Sequence, residues 1–220
     1  MELALLHPDD ARHGYLEAFR SLRSSILFGS AGEKPPRTLL VTSSEPGDGK
    51  STTAANLAII MASGGARVLL VDADLRKGVL HGRFGLPGQP GLFEAISQGS
   101  DWTKTVQRTS VANLSFLPRG TGTQKSSELF LSSQMHDFLK EAAAAYDYLV
   151  LDTAPVMAAD DVTTLAAHLD GVIFVVRAER TSARVARAAL EALLSRRAQI
   201  IGLVFNAVRK SAGGYYYYYR

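Results

Sequence analysis

Thr38-Leu39-Leu40-Val41-Thr42-Ser43-Ser44-Glu45-Pro46-Gly47-Asp48-Gly49-Lys50-Ser51-Thr52 passes from an unbroken apolar run, through a loop of small residues, into a long segment rich in Ala and Ile. A short β-rich run reads as a buried strand. A Gly-containing loop that follows such a strand and opens a helix is the setting of a phosphate-binding loop. Small residues at Pro46, Gly47, Asp48 and Gly49 let backbone N–H groups close around phosphate oxygens, and the helix start favours the anion. Lys50 is then placed to reach β and γ oxygens, the Ser51 hydroxyl to ligate magnesium, and Thr52 to add a phosphate contact. Ser44 stands where the G-x-x-x-x-G-K-[ST] pattern usually opens with glycine, which is a departure from it.

Working outward, Leu69-Leu70-Val71-Asp72-Ala73-Asp74-Leu75-Arg76 is an apolar run ending in two carboxylates, and Leu149-Val150-Leu151-Asp152-Thr153-Ala154-Pro155 is another ending in one. Six such runs, Thr38–Thr42, Arg67–Asp72, Asn113–Leu117, Tyr148–Asp152, Gly171–Val176 and Ile200–Val208, are apolar on both faces, which implies strands buried between helix layers and a parallel sheet. Helical patterns lie between them at Lys50–Ser63, Ser126–Ala144, Asp161–His168 and Ser182–Arg197, with a further helix from about Asp9 to Phe28. Gly78–Ser110 reads as an irregular insertion with one short helix near Gly91–Ser97. The expected fold is therefore α/β, a single domain over 1–210, followed by a tail over 211–220. Ligands of open α/β sheets bind outside the carboxyl ends of the strands, so Asp72, Asp74 and Asp152 should meet Lys50 at one rim. Each aspartate alone could instead cap the turn after it.

Composition narrows the chemistry. With 220 residues, one α/β core is affordable without staples, and 46% hydrophobic with 20% charged residues is ordinary for a globular chain. The absence of cysteine excludes thiolate metal sites, disulfides and cysteine nucleophiles. The five histidines are scattered without ligand spacing and read as surface or capping residues. The first twenty residues do not form a secretory signal, and no stretch reaches the ~20 apolar residues needed to cross a bilayer, so a cytoplasmic chain brought to a membrane by a partner is expected. From Gly171 onward there are nine Lys/Arg and two Asp/Glu. Arg184, Arg187, Arg196 and Arg197 there read as a solvated helix face rather than a site, and no nucleic-acid partner is expected.

Together the phosphate loop, the Asp-x-Asp strand and the later apolar-Asp-x-x-Pro strand resemble the Walker A, A′ and B motifs of the bacterial tyrosine kinases, the family linked to capsule and exopolysaccharide synthesis. The likeness covers nearly the whole chain and implies a P-loop kinase domain that uses ATP and Mg²⁺. It implies Lys50, Asp72, Asp74 and Asp152 as catalytic residues, with Ser51, Asp72 and Asp152 at the metal and Asp74 positioning the attacking hydroxyl. Glu17, Arg20 and Arg23 resemble the family's E-x-x-R-x-x-R motif for ring-like self-association, although the same spacing suits an intrahelical Glu17–Arg20 pair. Tyr215, Tyr216, Tyr217, Tyr218 and Tyr219, five of the eight tyrosines, resemble its autophosphorylation cluster. A transmembrane activator of the polysaccharide co-polymerase type, recruitment to the inner face of the membrane and a resetting phosphatase are implied with it. Asn206 and Arg209 are candidates for adenine contact, with a turn role for Asn206 as the alternative. The related MinD/ParA-like ATPase switches share the fold but carry a second lysine early in the phosphate loop, where this chain has Glu45.

Overall fold

The computed structural model describes residues 5–6, 13–29, 35–122, 126–159 and 161–208. Seven strands form one sheet in the order β3-β4-β2-β5-β1-β6-β7: β1 Thr38–Ser43, β2 Val68–Asp72, β3 Gln107–Arg108, β4 Leu114–Leu117, β5 Tyr148–Asp152, β6 Gly171–Arg177 and β7 Ile200–Asn206. All neighbours are parallel except β3 with β4. The six expected strands are all present, and the inner ones are buried because helices cover both faces: Leu39, Leu40, Val150, Leu151 and Phe174 have no exposure. The expected burial fails for β7, which ends the sheet and leaves Ile201, Leu203 and Phe205 exposed.

One helix layer comprises α1 (His13–Phe28) and α2 (Lys50–Ser63). Leu57, Ile59, Ile60 and Met61 of α2 fill the space between the sheet and Leu16, Phe19 and Ile26 of α1. Because α2 is sandwiched, it is buried almost all round, and its one deep amide, Asn56, is satisfied by the Leu6 N–H at 2.8 Å and by the Tyr15 hydroxyl at 2.8 Å. The opposite layer is built on α6 (Ser133–Ala145), α7 (Asp161–Ala166) and α8 (Ala183–Ser195), whose Phe138, Leu139, Leu165 and Leu193 pack under Leu149, Leu151 and Phe174.

Two further local expectations are corrected. The helix expected over Ser126–Ala144 is two, α5 (Ser126–Phe130) and α6. Ser132 breaks it, its Oγ donating to the Leu129 carbonyl at 2.7 Å and accepting from the Met135 N–H at 3.2 Å, the pattern of an N-cap. The insertion after Gly78 holds α3 (Leu80–Phe84) as well as α4 (Leu92–Ser97). It also supplies the antiparallel edge β3, two residues too short to show a period. The N-terminal helix is described from His13, and Asp9 to Arg12 lie outside the described residues.

Candidate active site

The parallel order puts the carboxyl ends of β1, β2 and β5 side by side, and Asp72 and Asp152 occupy the same register across β2 and β5. The loop after β1 turns into α2 through two glycines with positive φ, Gly47 at 88° and Gly49 at 100°. A side chain at either would be strained there. Lys50 emerges at the first position of α2, and its ammonium donates to Asp74 Oδ2 at 3.2 Å and to Ser51 Oγ at 3.1 Å. It lies 3.6 Å from Asp152 Oδ1. The phosphate-loop lysine and all three strand-end carboxylates thus converge from segments spread over a hundred residues.

This cluster is electrostatically tense. Burial drives the Asp72 carboxyl up, the neighbouring Asp152 charge drives it further, and it reaches about 8 despite the Leu80 N–H held on Asp72 Oδ2 at 3.1 Å. Burial likewise raises Asp152, against the pull of the Lys50 ammonium. For Lys50, burial pushes down, but Asp152 and Asp74 outweigh it and the ammonium is held above its ordinary value. Both Asp152 oxygens and Asp72 Oδ1 are buried without a hydrogen-bond partner among the described residues, a costly condition for a carboxylate.

Those orphaned oxygens beside the Ser51 hydroxyl fit a hard cation. Among the described residues no three His, Cys, Asp or Glu side chains could hold a metal by themselves. Two carboxylates and a hydroxyl are the donor set that suits magnesium, which takes one or two carboxylates and completes its shell with water and phosphate oxygens.

The departure at Ser44 has a structural reason. Ser44 is fully buried, and its hydroxyl donates across the loop to Asp48 Oδ2 at 3.3 Å, where the Glu45 N–H also donates at 3.2 Å. Asp48 Oδ1 accepts from the Thr181 hydroxyl at 2.9 Å. Asp48 therefore knits the loop internally and ties it to the segment after β6.

The remaining candidates fall as follows. Thr52 Oγ1 accepts from Arg83 of α3 at 2.6 Å. Asn206 sits under the loop, its amide nitrogen donating to the Asp48 carbonyl at 2.8 Å and its oxygen accepting from the Ala207 N–H at 2.8 Å. A methyl group on Gly49 would stand 1.9 Å from that nitrogen. Glu17 and Arg20 pair with each other at 2.6 Å on the exposed side of α1, whereas Arg23 turns toward α2 and donates to the Ile60 carbonyl at 3.2 Å. Arg209 and Tyr215 to Tyr219 lie outside the described residues.

Sequence reasoning missed Arg83, Arg177 and Arg180. Arg177 donates to the Gly47 carbonyl at 2.8 Å, and Arg180 to the Pro46 carbonyl at 3.4 Å. A basic residue just past a strand ordinarily reads as surface, and nothing in its local spacing signals a loop contact.

A helix-opening glycine loop, its lysine and a rim of strand-end aspartates define a P-loop nucleotide-binding domain, and residues 37–200 match the family described as the AAA domain. The tyrosine-protein kinase YwqD of Bacillus subtilis is 36% identical over 92% of this chain and 85% of its own length. The putative tyrosine-protein kinase EpsB of Ralstonia nicotianae is 37% identical over 98% of this chain, which spans only 28% of that longer protein. Among solved structures, the kinase domain of the Escherichia coli tyrosine kinase ETK superposes with a TM-score of 0.89 at 27% identity, covering 98% of this chain and 84% of that one. The chain belongs to the bacterial tyrosine-protein kinases of the P-loop type, and it is an ATP-dependent protein-tyrosine kinase domain. Among the described residues no helix is long and apolar enough to cross a membrane.

Proposed function

We propose that this kinase phosphorylates the tyrosine cluster Tyr215–Tyr219 of its own C-terminus, in trans within a ring-like homo-oligomer, and thereby regulates polysaccharide synthesis or export. The observation that carries the reading is the convergence of Lys50 on Asp74 and Asp152 in a chain that carries five consecutive tyrosines at 215–219. Lys50 and the loop N–H groups bind the triphosphate. Ser51, Asp152 and Asp72 would hold Mg²⁺, which when bound neutralises charge on the β and γ oxygens.

In the transfer itself, the phenol oxygen forms a bond to the γ-phosphorus as the bond to the β–γ bridging oxygen breaks and ADP departs. Asp74 orients the phenol and receives its proton. A phenol titrates near ~10 and a carboxylate near ~4, so the proton moves late, once the phenol oxygen has begun to lose charge to phosphorus. Asp74 is fixed for this by the Lys77 N–H on Oδ1 at 2.9 Å and by Lys50 on Oδ2.

Glu17, Arg20 and Arg23 on α1 would contribute to the ring contact, a transmembrane co-polymerase-type partner would bring the kinase to the cytoplasmic face of the membrane and activate it, and a phosphatase would reset the tail. Each phosphotyrosine adds roughly −1.5 to −2 charges, so a fully modified tail is repelled by the acidic site and the oligomer loosens.

Incubation with Mg-ATP followed by phosphotyrosine detection tests the reading. Label should appear on the intact chain and vanish in Asp74→Asn, in Lys50→Met and in a chain ending at Gly214. ATP hydrolysis without tyrosine label would instead indicate a MinD/ParA-like switch.

A further inference from the structure

The phosphate loop is gripped from its outer side by residues none of the three motifs contains. Three successive carbonyls, those of Pro46, Gly47 and Asp48, accept from Arg180 at 3.4 Å, Arg177 at 2.8 Å and the Asn206 amide at 2.8 Å. In a planar trans peptide the carbonyl and the next N–H point in opposite directions. Capping these three oxygens from outside therefore turns the N–H groups of Gly47, Asp48 and Gly49 to the inner side. None of those three N–H groups has a protein acceptor among the described residues, so the loop presents a row of free donors of the kind that cradles an anion.

We propose that Arg177, Arg180 and Asn206 form an outer brace of positioning residues that sets the nucleotide affinity of this loop, with Arg177 the principal member. The inference rests on the triphosphate occupying the loop, as in the function proposed above. A cation on a carbonyl polarises the whole peptide unit, so each guanidinium strengthens the donor on the far side as well as orienting it.

The brace is itself rigidly mounted. The Arg177 N–H donates to the Thr181 hydroxyl at 2.9 Å, that hydroxyl donates to Asp48 Oδ1, and the Arg180 and Thr181 N–H groups return to the Arg177 carbonyl at 3.3 and 2.9 Å. This tight turn after β6 presents both guanidiniums to the same stretch of loop. Arg180 lies close enough that a methyl group on Gly47 would come within 2.9 Å of its Nη1, a contact the mobile end of the side chain can relieve, so it is the φ of 88° that calls for glycine there.

The test is calorimetric titration of the full chain with MgADP for Arg177→Ala, Arg180→Ala, the double variant and Arg177→Lys, alongside thermal melts without nucleotide. Loss of charge-assisted donors to two carbonyls should weaken MgADP binding on the order of ten- to a hundredfold in the double variant. KM for ATP should rise with kcat nearly unchanged, and Arg177→Lys, which retains a charged donor, should recover most of the affinity. Because Arg180 is exposed and Arg177 only half-buried, the nucleotide-free melting temperature should move little. Affinity within about twofold of wild type overturns the brace, as does a loss that Arg177→Lys shares and that tracks a fall in melting temperature. A wild-type chain that binds MgADP but labels no tyrosine overturns the kinase function proposed for the tail while the brace stands.

Discussion

Replacing Lys50 by methionine is the usual way to silence such a site, and the structure says the variant should also be less stable, in a manner that depends on pH. The ammonium stands 3.2 Å from Asp74 Oδ2 and 3.6 Å from Asp152 Oδ1, with side-chain exposures of 11%, 6% and 0% for the three groups. At an effective dielectric near ~20, one such contact at ~4 Å corresponds to about 4 kcal/mol of Coulomb energy. Breaking a buried pair by removing one partner costs about 3–5 kcal/mol. For a chain of this size each kcal/mol lowers Tm by about 2–4 °C, so a fall on the order of 10 °C is expected near pH 8.

The sign of the pH effect follows from proton linkage. Asp72 and Asp152 are already raised by burial, and without Lys50 they rise further. A native state that holds protons its unfolded chain has released loses stability as pH climbs. Lys50 itself, raised from 10.5, stays charged throughout this range in the wild type. Asp72 holds its proton in both proteins up to about 8, so its share of the Lys50→Met deficit appears only above that value, and the deficit should grow as pH climbs from about 7 to about 9. Adding Asp152→Asn should recover part of it, giving a coupling energy of roughly 1–3 kcal/mol in a double-mutant cycle. Differential scanning calorimetry without nucleotide makes the measurement. A melting temperature at pH 8 within about 2 °C of wild type, at most about 0.5–1 kcal/mol for both variants, would refute the claim that Lys50 neutralises this cluster.

Three further outcomes can be checked by denaturation. Gly78→Ala places a methyl group 2.3–2.6 Å from the Asp72 carboxyl, so it should cost about 1–3 kcal/mol by overpacking and weaken Mg-dependent nucleotide binding; an unchanged urea midpoint contradicts this. Ser132→Ala removes the cap of α6 and should cost about 0.5–2 kcal/mol, read as a lower urea midpoint at unchanged m-value. Arg67 beside Asp147 holds that exposed carboxyl down at about 2, below the unfolded value near ~3.9. Its contribution is thus present above that unfolded value and disappears as pH falls toward 2, so Asp147→Asn should flatten the acid limb of a stability–pH curve, and parallel curves would contradict the pairing.

What could be read in the sequence and what could not divides along a physical line. The strands were legible because burial on both faces writes apolar character at every position from Leu39 to Val41 and from Leu149 to Leu151. The carboxylate rim was legible because Asp72 and Asp152 interrupt such runs at the end where a parallel sheet opens. Gln107–Arg108 left no trace, since two residues on an antiparallel edge carry no period, and the break between α5 and α6 turns on one serine in an otherwise helical run. Arg177 was the hardest case. Its partner carbonyl belongs to Gly47, 130 positions away, and a carbonyl is the same acceptor whatever side chain its residue carries. Backbone-directed contacts of that kind constrain the donor and leave the acceptor's identity free, so no motif arises at the loop to announce them. They become visible only when the fold sets β6 beside β1.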